Sequence, residues 1–349
     1  MKKLALFLAF ILLFGLFCGC ARRGGKDSVT LNVLNWGDYI DEDLLKQFEA
    51  ETGIYVNYTT MATNEEMLVK LQQPDCIYDI CFPSDYIIEK LVADDLLYAL
   101  NKDNIPNMQH IDGRFLDLSF DPGNEYSVPY MWGTVGILYN TTLVDDPVDS
   151  WDILWNEKYS GQILMYDSIR DTMGVALLKL GHSINTREQS DILDAEAALI
   201  EQKPLVLAYL GDPIKDRMIA GGGALAIVYS GDAMWCIDEN PDLAYAVPAT
   251  GTNLWFDNII IPKTSQHTAE AEAFINFLCN PEVAAQNAEY IGYSTPNSAA
   301  LEIMGEDYID NPTYNPSQEL LDKCDIFHDL GNFINVYNDS WNRVKSFVG

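Results

Sequence analysis

Residues 31–53 read LNVLNWGDYIDEDLLKQFEAETG. The first five positions alternate apolar and polar as a half-buried strand does, whereas Leu44, Leu45 and Phe48 recur at helical spacing. The segment therefore predicts a strand at 31–34 and, after a turn, a helix at 42–52 closed by Gly53. That turn carries Trp36, Gly37, Asp38 and Tyr39. Two large rings thus flank a carboxylate at a strand's carboxyl end, where small polar residues are the rule. Such rings either fill a core or line a site.

Working outward, strand and helix keep alternating: strands at 54–59 and 79–81, helices at 64–71 and 87–93. This order predicts an α/β fold with a mixed, mainly parallel sheet flanked by helices. Ligands of such sheets lie beyond the carboxyl ends of the strands, where the turns 36–39 and 84–86 fall. The pattern restarts at 151–166, with helices at 172–180 and 195–202, strands at 205–208 and 224–229, and helices at 269–278 and 282–290. A chain of 349 residues without an internal repeat suits two domains.

Charge narrows the class of partner. With 52 acidic against 21 basic residues the formal charge is -31. Phosphate neutralisation needs the opposite balance, so nucleic acid is excluded as a partner and cations are favoured. His110, His182, His267 and His328 are scattered and give no metal-ligand spacing. No nucleophile elbow, P-loop or dinucleotide fingerprint occurs, and the glycines at 221–223 read as a turn. No catalytic residue, metal or cofactor is predicted.

At the N-terminus Lys2 and Lys3 precede an apolar run from Leu4 to Phe17, a signal-peptide core in length and short for a membrane span. Its end, Phe17-Cys18-Gly19-Cys20, resembles the bacterial lipoprotein signal, which makes 1–20 a leader, Cys20 the lipidated residue and 21–28 a tether. The other five cysteines, Cys76, Cys81, Cys236, Cys279 and Cys324, show no disulfide framework.

Aromatic and acidic residues recur together at the predicted strand ends: Tyr86 by Asp85, Asp167 and Asp171 after Tyr166, Tyr229 near Asp232, Trp255 by Asp257. A ring face attracts an ammonium by roughly 2 kcal/mol when water is excluded. A carboxylate adds on the order of 1.5–3 kcal/mol through a charge-assisted hydrogen bond. This chemistry fits an alkyl ammonium.

The blocks NWGDYIDEDLLKQFEAETG (35–53), YDICFPSDY (78–86), YSVPYMWGTVGILYN (126–140), SWDILWNEKYSGQILMYDSIRDTMGVALLKLG (150–181), LWFDNIIIP (254–262) and INFLCNPEVAAQNAEYIGYSTPN (275–297) resemble the spermidine/putrescine-binding proteins of bacterial polyamine ABC transporters. The resemblance implies a two-lobed type II periplasmic-binding-protein fold with a hinged cleft: 29–132 and 253–300 as lobe 1, 133–252 and 301–349 as lobe 2. It places the aromatic box on Trp36, Tyr39, Tyr86, Trp255, Tyr293 and Tyr229, the last standing where the family commonly has Trp. It places acidic ends on Asp38, Asp171 and Asp257, matches Asp232 to an acid that putrescine-selective members use for one ammonium, and sets Ser84 at the ligand. Asp171 replaces a longer Glu, Ser168 stands where the spermidine type has an acid, and Phe327 lies near a family Gln. These departures leave putrescine and spermidine both open as cargo. The implied partners are a membrane permease and its ATPase, met by a lipid-anchored monomer outside the membrane. Alternatives are a same-fold protein for an amino acid, sugar or ferric ion, a surface adhesin, or a paired-acid hydrolase. Arg170 is read as the only basic residue of the cluster, bracing neighbouring acids, and Tyr229 with Tyr293 as a weak imitation of a ferric pair.

Overall fold

The opening stretch folds as strand, turn and helix. A computed structural model describes residues 29–348; the leader, tether and Cys20 expectations lie outside the described residues. β1 (Thr30–Trp36) leads to the helix Glu42–Thr52, where Asp41 caps the start by accepting from the Asp43 N–H. Gly53, at φ 73°, closes it in the left-handed conformation that costs glycine least. Leu44, Leu45 and Phe48 bury the inner face against the sheet, each worth about 2 kcal/mol in removed apolar surface.

The remaining strands are β2 (Tyr55–Met61), β3 (Ile80–Cys81), β4 (Ser127–Asn140), β5 (Ile163–Tyr166), β6 (Val206–Leu210), β7 (Leu225–Tyr229), β8 (Leu243–Ala246) and β9 (Leu254–Ile260). They form one path, β2-β1-β3-β9-β4-β7-β5-β6, with β8 also on β4. Parallel pairings lie at the two flanks, β1 with β2 and β3, and β5 with β6 and β7. Antiparallel pairings gather in the middle, on β4 and β9. The architecture is the two-lobed type II periplasmic-binding fold, each lobe a curled sheet with helices on its faces.

β4 belongs to both sheets. Up to Thr134 it pairs with β9, and from Val135 onward with β7 and then also with β8. Two further segments run beside that crossover, since Asn253 bridges Asp325 and the Leu254 N–H donates to the Asp325 carbonyl at 2.9 Å.

Predicted helices at 42–52 and 64–71 stand as read. The helix predicted from 172 starts at Ile169, because Ser168 caps it, and the one predicted from 195 starts at Gln189. At 84–86 the turn passes directly into the helix Asp85–Ala93. All five cysteines among the described residues are free.

Candidate ligand-binding site

The question posed by Trp36, Asp38 and Tyr39 is resolved by their directions. Tyr39 turns inward and its hydroxyl donates to Asp257 Oδ2 at 2.7 Å. Trp36 is half-buried at the end of β1, with its indole N–H donating to the Phe82 carbonyl at 2.8 Å. Asp38 sits exposed at φ 50°, the left-handed turn geometry that Asp tolerates better than most residues.

Asp257, on β9, is the centre of the first lobe's cluster. It is 7% exposed and accepts from Ser84 Oγ at 2.6 Å as well as from Tyr39. Ser84 precedes the helix Asp85–Ala93 in the N-cap position, yet its hydroxyl makes no capping bond. Forgoing a serine cap costs about 1 kcal/mol, so a local rule is broken in favour of the acid. Asn64 holds Ser84 in place, donating to its Oγ at 2.9 Å and to the Tyr86 hydroxyl at 3.2 Å. The Tyr86 hydroxyl in turn reaches Glu65 at the exposed rim. Burial raises the Asp257 carboxyl to about 6, although the Ser84 and Tyr39 hydroxyls pull it down.

From the second lobe come Asp171, Tyr229 and Asp232. Asp171 lies in the first turn of the helix Ile169–Leu180, where its ionised form is favoured by the helix's positive end. It is 7% exposed, accepts from Tyr229 Oη at 3.0 Å and from Ser168 Oγ, and burial raises its carboxyl. Asp232 opens the helix Ser230–Glu239 and accepts from Tyr293 Oη at 3.0 Å and Tyr166 Oη at 3.1 Å. Burial also holds the Tyr39, Tyr229 and Tyr293 phenols well above their ordinary range, so they remain donors.

A row of rings joins the two acidic ends edge to face. Tyr39 meets Tyr293 at 5.7 Å between centroids, Tyr293 meets Trp255 at 5.2 Å, and Trp255 meets Tyr229 at 5.8 Å. The Trp255–Tyr229 contact joins β9 to β7, and the Tyr293–Asp232 hydrogen bond joins the turn after the helix Pro281–Ile291 to the helix after β7. The Trp255 indole N–H is buried without a partner among the described residues. Close approach is built into the backbone: a Cβ on Gly231 would strike the Tyr293 ring, and one on Gly133 would lie 2.6 Å from the Trp255 indole.

Tyr39, Ser84, Trp255, Asp257, Tyr293, Tyr229, Asp171 and Asp232 therefore form one connected set, with Tyr86 joined to it through Asn64; Trp36 flanks the set and Asp38 stands in solvent. Arg170 donates no hydrogen bond to the acids, and its charge partly offsets the burial that raises the Asp85 and Asp171 carboxyls. Its guanidinium donates to the His328 carbonyl at 3.0 Å and Asn185 Oδ1 at 2.9 Å, and lies 4.2 Å from the Phe327 ring centroid. Nor is it the only basic residue, because Lys215 Nζ stands 3.4 Å from Asp232 Oδ1. Lys215 lies at the start of the helix Ile214–Ile219, just after the turn that follows β6, and no aromatic residue beside an acid marked that turn. Asn64 was hidden in the same way, as one of many polar helix starts.

A family model described as bacterial extracellular solute-binding protein matches residues 43–316. The spermidine/putrescine-binding periplasmic protein of Escherichia coli is 33% identical over 330 residues, covering 94% of this chain and 95% of that one. A solved structure described as a spermidine/putrescine ABC transporter of Listeria monocytogenes superposes with TM-score 0.87 at 41% identity, over 92% of this chain and 100% of that one. The spermidine/putrescine substrate-binding protein PotD of Streptococcus pneumoniae gives TM-score 0.83 at 40% identity, over 91% and 99%.

Proposed function

The chain belongs to the bacterial extracellular solute-binding proteins, and from that premise we propose that it captures a polyamine, putrescine or spermidine, for an ABC importer. One observation carries the reading. Asp257 from one lobe and Asp171 from the other are buried carboxylates without a basic side chain in ion-pair reach among the described residues, and aromatic rings connect them. Burying an unpaired carboxylate is expensive, and a cargo ammonium removes that expense.

Asp257 and Asp171 each receive an ammonium; Ser84 and Tyr39 orient Asp257, while Tyr229 orients Asp171. The walls are Trp36, Tyr86, Trp255 and Tyr293, and Asp232 ties the lobes through Tyr293. Asp38 contributes charge at the rim. Lobe 1 consists of residues 29–132 and 253–300, and lobe 2 of 133–252 and 301–349, whose last helix Ile334–Ser346 packs on the helices Ile169–Leu180 and Gln189–Gln202. Each lobe supplies one acid, so the ammonium chain binds the closed form better than the open one, and that difference in affinity drives closure. The closed protein then delivers its cargo, chemically unchanged, to a permease and its ATPase, as a monomer tethered outside the membrane through Cys20.

Thermal-shift measurement with putrescine, spermidine, spermine, amino acids and ferric ion tests the cargo class. A polyamine is expected to raise the melting temperature. Stabilisation by another solute alone, with no polyamine effect at millimolar concentration, defeats the assignment.

A further inference from the structure

Resting on the two-lobed reading above, we infer that Glu89 is a latch: outside the residues assigned to cargo, it fastens lobe 1 to the segment 325–329 of lobe 2 and favours the closed cleft. The segment is fixed first to its own lobe. Asn185 Nδ2 donates to the Ile326 carbonyl at 2.7 Å, and Asn185 Oδ1 takes the His328 N–H at 2.9 Å. Arg170 donates to the His328 carbonyl at 3.0 Å and Arg187 to the Asp329 carbonyl at 2.8 Å. The Phe327 ring lies under the Arg170 guanidinium and against the backbone at Gly174, where a Cβ would stand 3.6 Å from the ring. These attachments make the segment move with the helix Ile169–Leu180.

Glu89 belongs to the other lobe. It stands on the helix Asp85–Ala93, whose Ile87, Ile88 and Leu91 are buried with Leu34, Cys81 and Ile260 of β1, β3 and β9. Its Oε2 accepts the Asp329 N–H at 2.8 Å and lies 3.3 Å from His328 Nδ1. No Lys or Arg pairs with Glu89 among the described residues, and its neighbour Lys90 is taken by Asp94 at 2.6 Å. Glu89 thus directs its charge to the opposite lobe instead of to a partner on its own helix, the ordinary arrangement for an exposed glutamate. A hydrogen bond to an ionised acceptor is roughly twice as strong as a neutral one. Asp329 is held at its carbonyl and His328 at both its N–H and its carbonyl, so neither can follow Glu89 when the lobes part. The contact therefore exists in the closed form alone, raises its population, and with it the apparent affinity for cargo. It acts beside the Asp171 end of the row of rings: Tyr86, one turn before Glu89, meets the Phe327 ring at 6.5 Å, and Phe327 lines the same small cavity as Asp171.

Stopped-flow dissociation of putrescine and spermidine from the full chain, together with small-angle scattering of the amine-free protein, decides this. Glu89→Ala removes both contacts at a half-exposed position, so the fold is expected to survive. It should speed dissociation about tenfold while association stays equal or rises, and it should widen the amine-free molecule. Glu89→Gln keeps an oxygen for the Asp329 N–H and should speed dissociation only about threefold. A parent-like dissociation rate in Glu89→Ala overturns the latch and leaves the polyamine reading intact. Should neither amine bind the parent, the polyamine reading fails and scattering judges the latch: a wider Glu89→Ala molecule supports it, and an unchanged radius of gyration overturns it.

Discussion

Asp257→Asn separates a ligand-binding acid from a structural one, because the two roles predict opposite signs in the empty protein. The Asp257 carboxyl ionises near pH 6 in the fold against 3.8 in the unfolded chain. The folded state therefore holds the proton more tightly, and stability is lost as pH rises from about 4 to above 6. That displacement corresponds to about 3 kcal/mol of burial cost at pH 7.5, and asparagine avoids it while still offering an oxygen to Ser84 or Tyr39. The ligand-free variant should melt higher than the parent at pH 7.5, with the advantage shrinking towards pH 4. Polyamine binding should move the other way. An ammonium that loses a buried carboxylate forfeits about 2 kcal/mol or more, roughly 30-fold in Kd. Differential scanning fluorimetry with and without amine, followed by calorimetry, reads both quantities. Unchanged amine affinity would remove Asp257 from the site. A fall in ligand-free melting temperature would mean that its two hydroxyl contacts hold the lobe together and that the charge is incidental.

Polyamine affinity should drop about tenfold between pH 7.5 and pH 5 as Asp257 takes up a proton, and that dependence should flatten in Asp257→Asn; a level profile in the parent contradicts the ionised-acid role. Gly231→Ala would push a methyl into the Tyr293 ring across the lobe junction, so both lobes should fold while affinity falls at least tenfold and small-angle scattering reports a wider molecule with amine present; parent-like affinity would show that closure does not need this contact. Association rate should fall steeply with added salt while dissociation changes little, since a net charge of -31 steers a cation; a rate indifferent to salt would refute steering.

Local chemistry explains what could be read in advance. The helix Glu42–Thr52 announced itself through its cap, its apolar spacing and its terminal glycine, all within one short window. Tyr39 and Asp257 were legible as aromatic and acidic residues at strand ends, but their hydrogen bond joins positions 218 residues apart, which no periodicity encodes. The antiparallel centre of the sheet was hidden for the same reason. β4 and β9 are buried along nearly their whole length, so they show no alternation, and nothing local says which strand each will meet. Lys215 escaped notice because its role is set by the helix that carries it towards Asp232, and one lysine on a short amphipathic segment ordinarily faces water.

The position of β9 has a consequence for the order in which this molecule can assemble. It is the inner strand joining β3 to β4, yet it is made after the whole of β5 to β8. A growing chain that stops short of Ile260 has β1, β2 and β3 with one edge unfilled, and that edge is apolar. The lobe that begins first is thus completed by a late insertion, so assembly waits on long-range contacts and is slow for the chain's size. The half-made edge is where a stalled or truncated chain would recruit a neighbour.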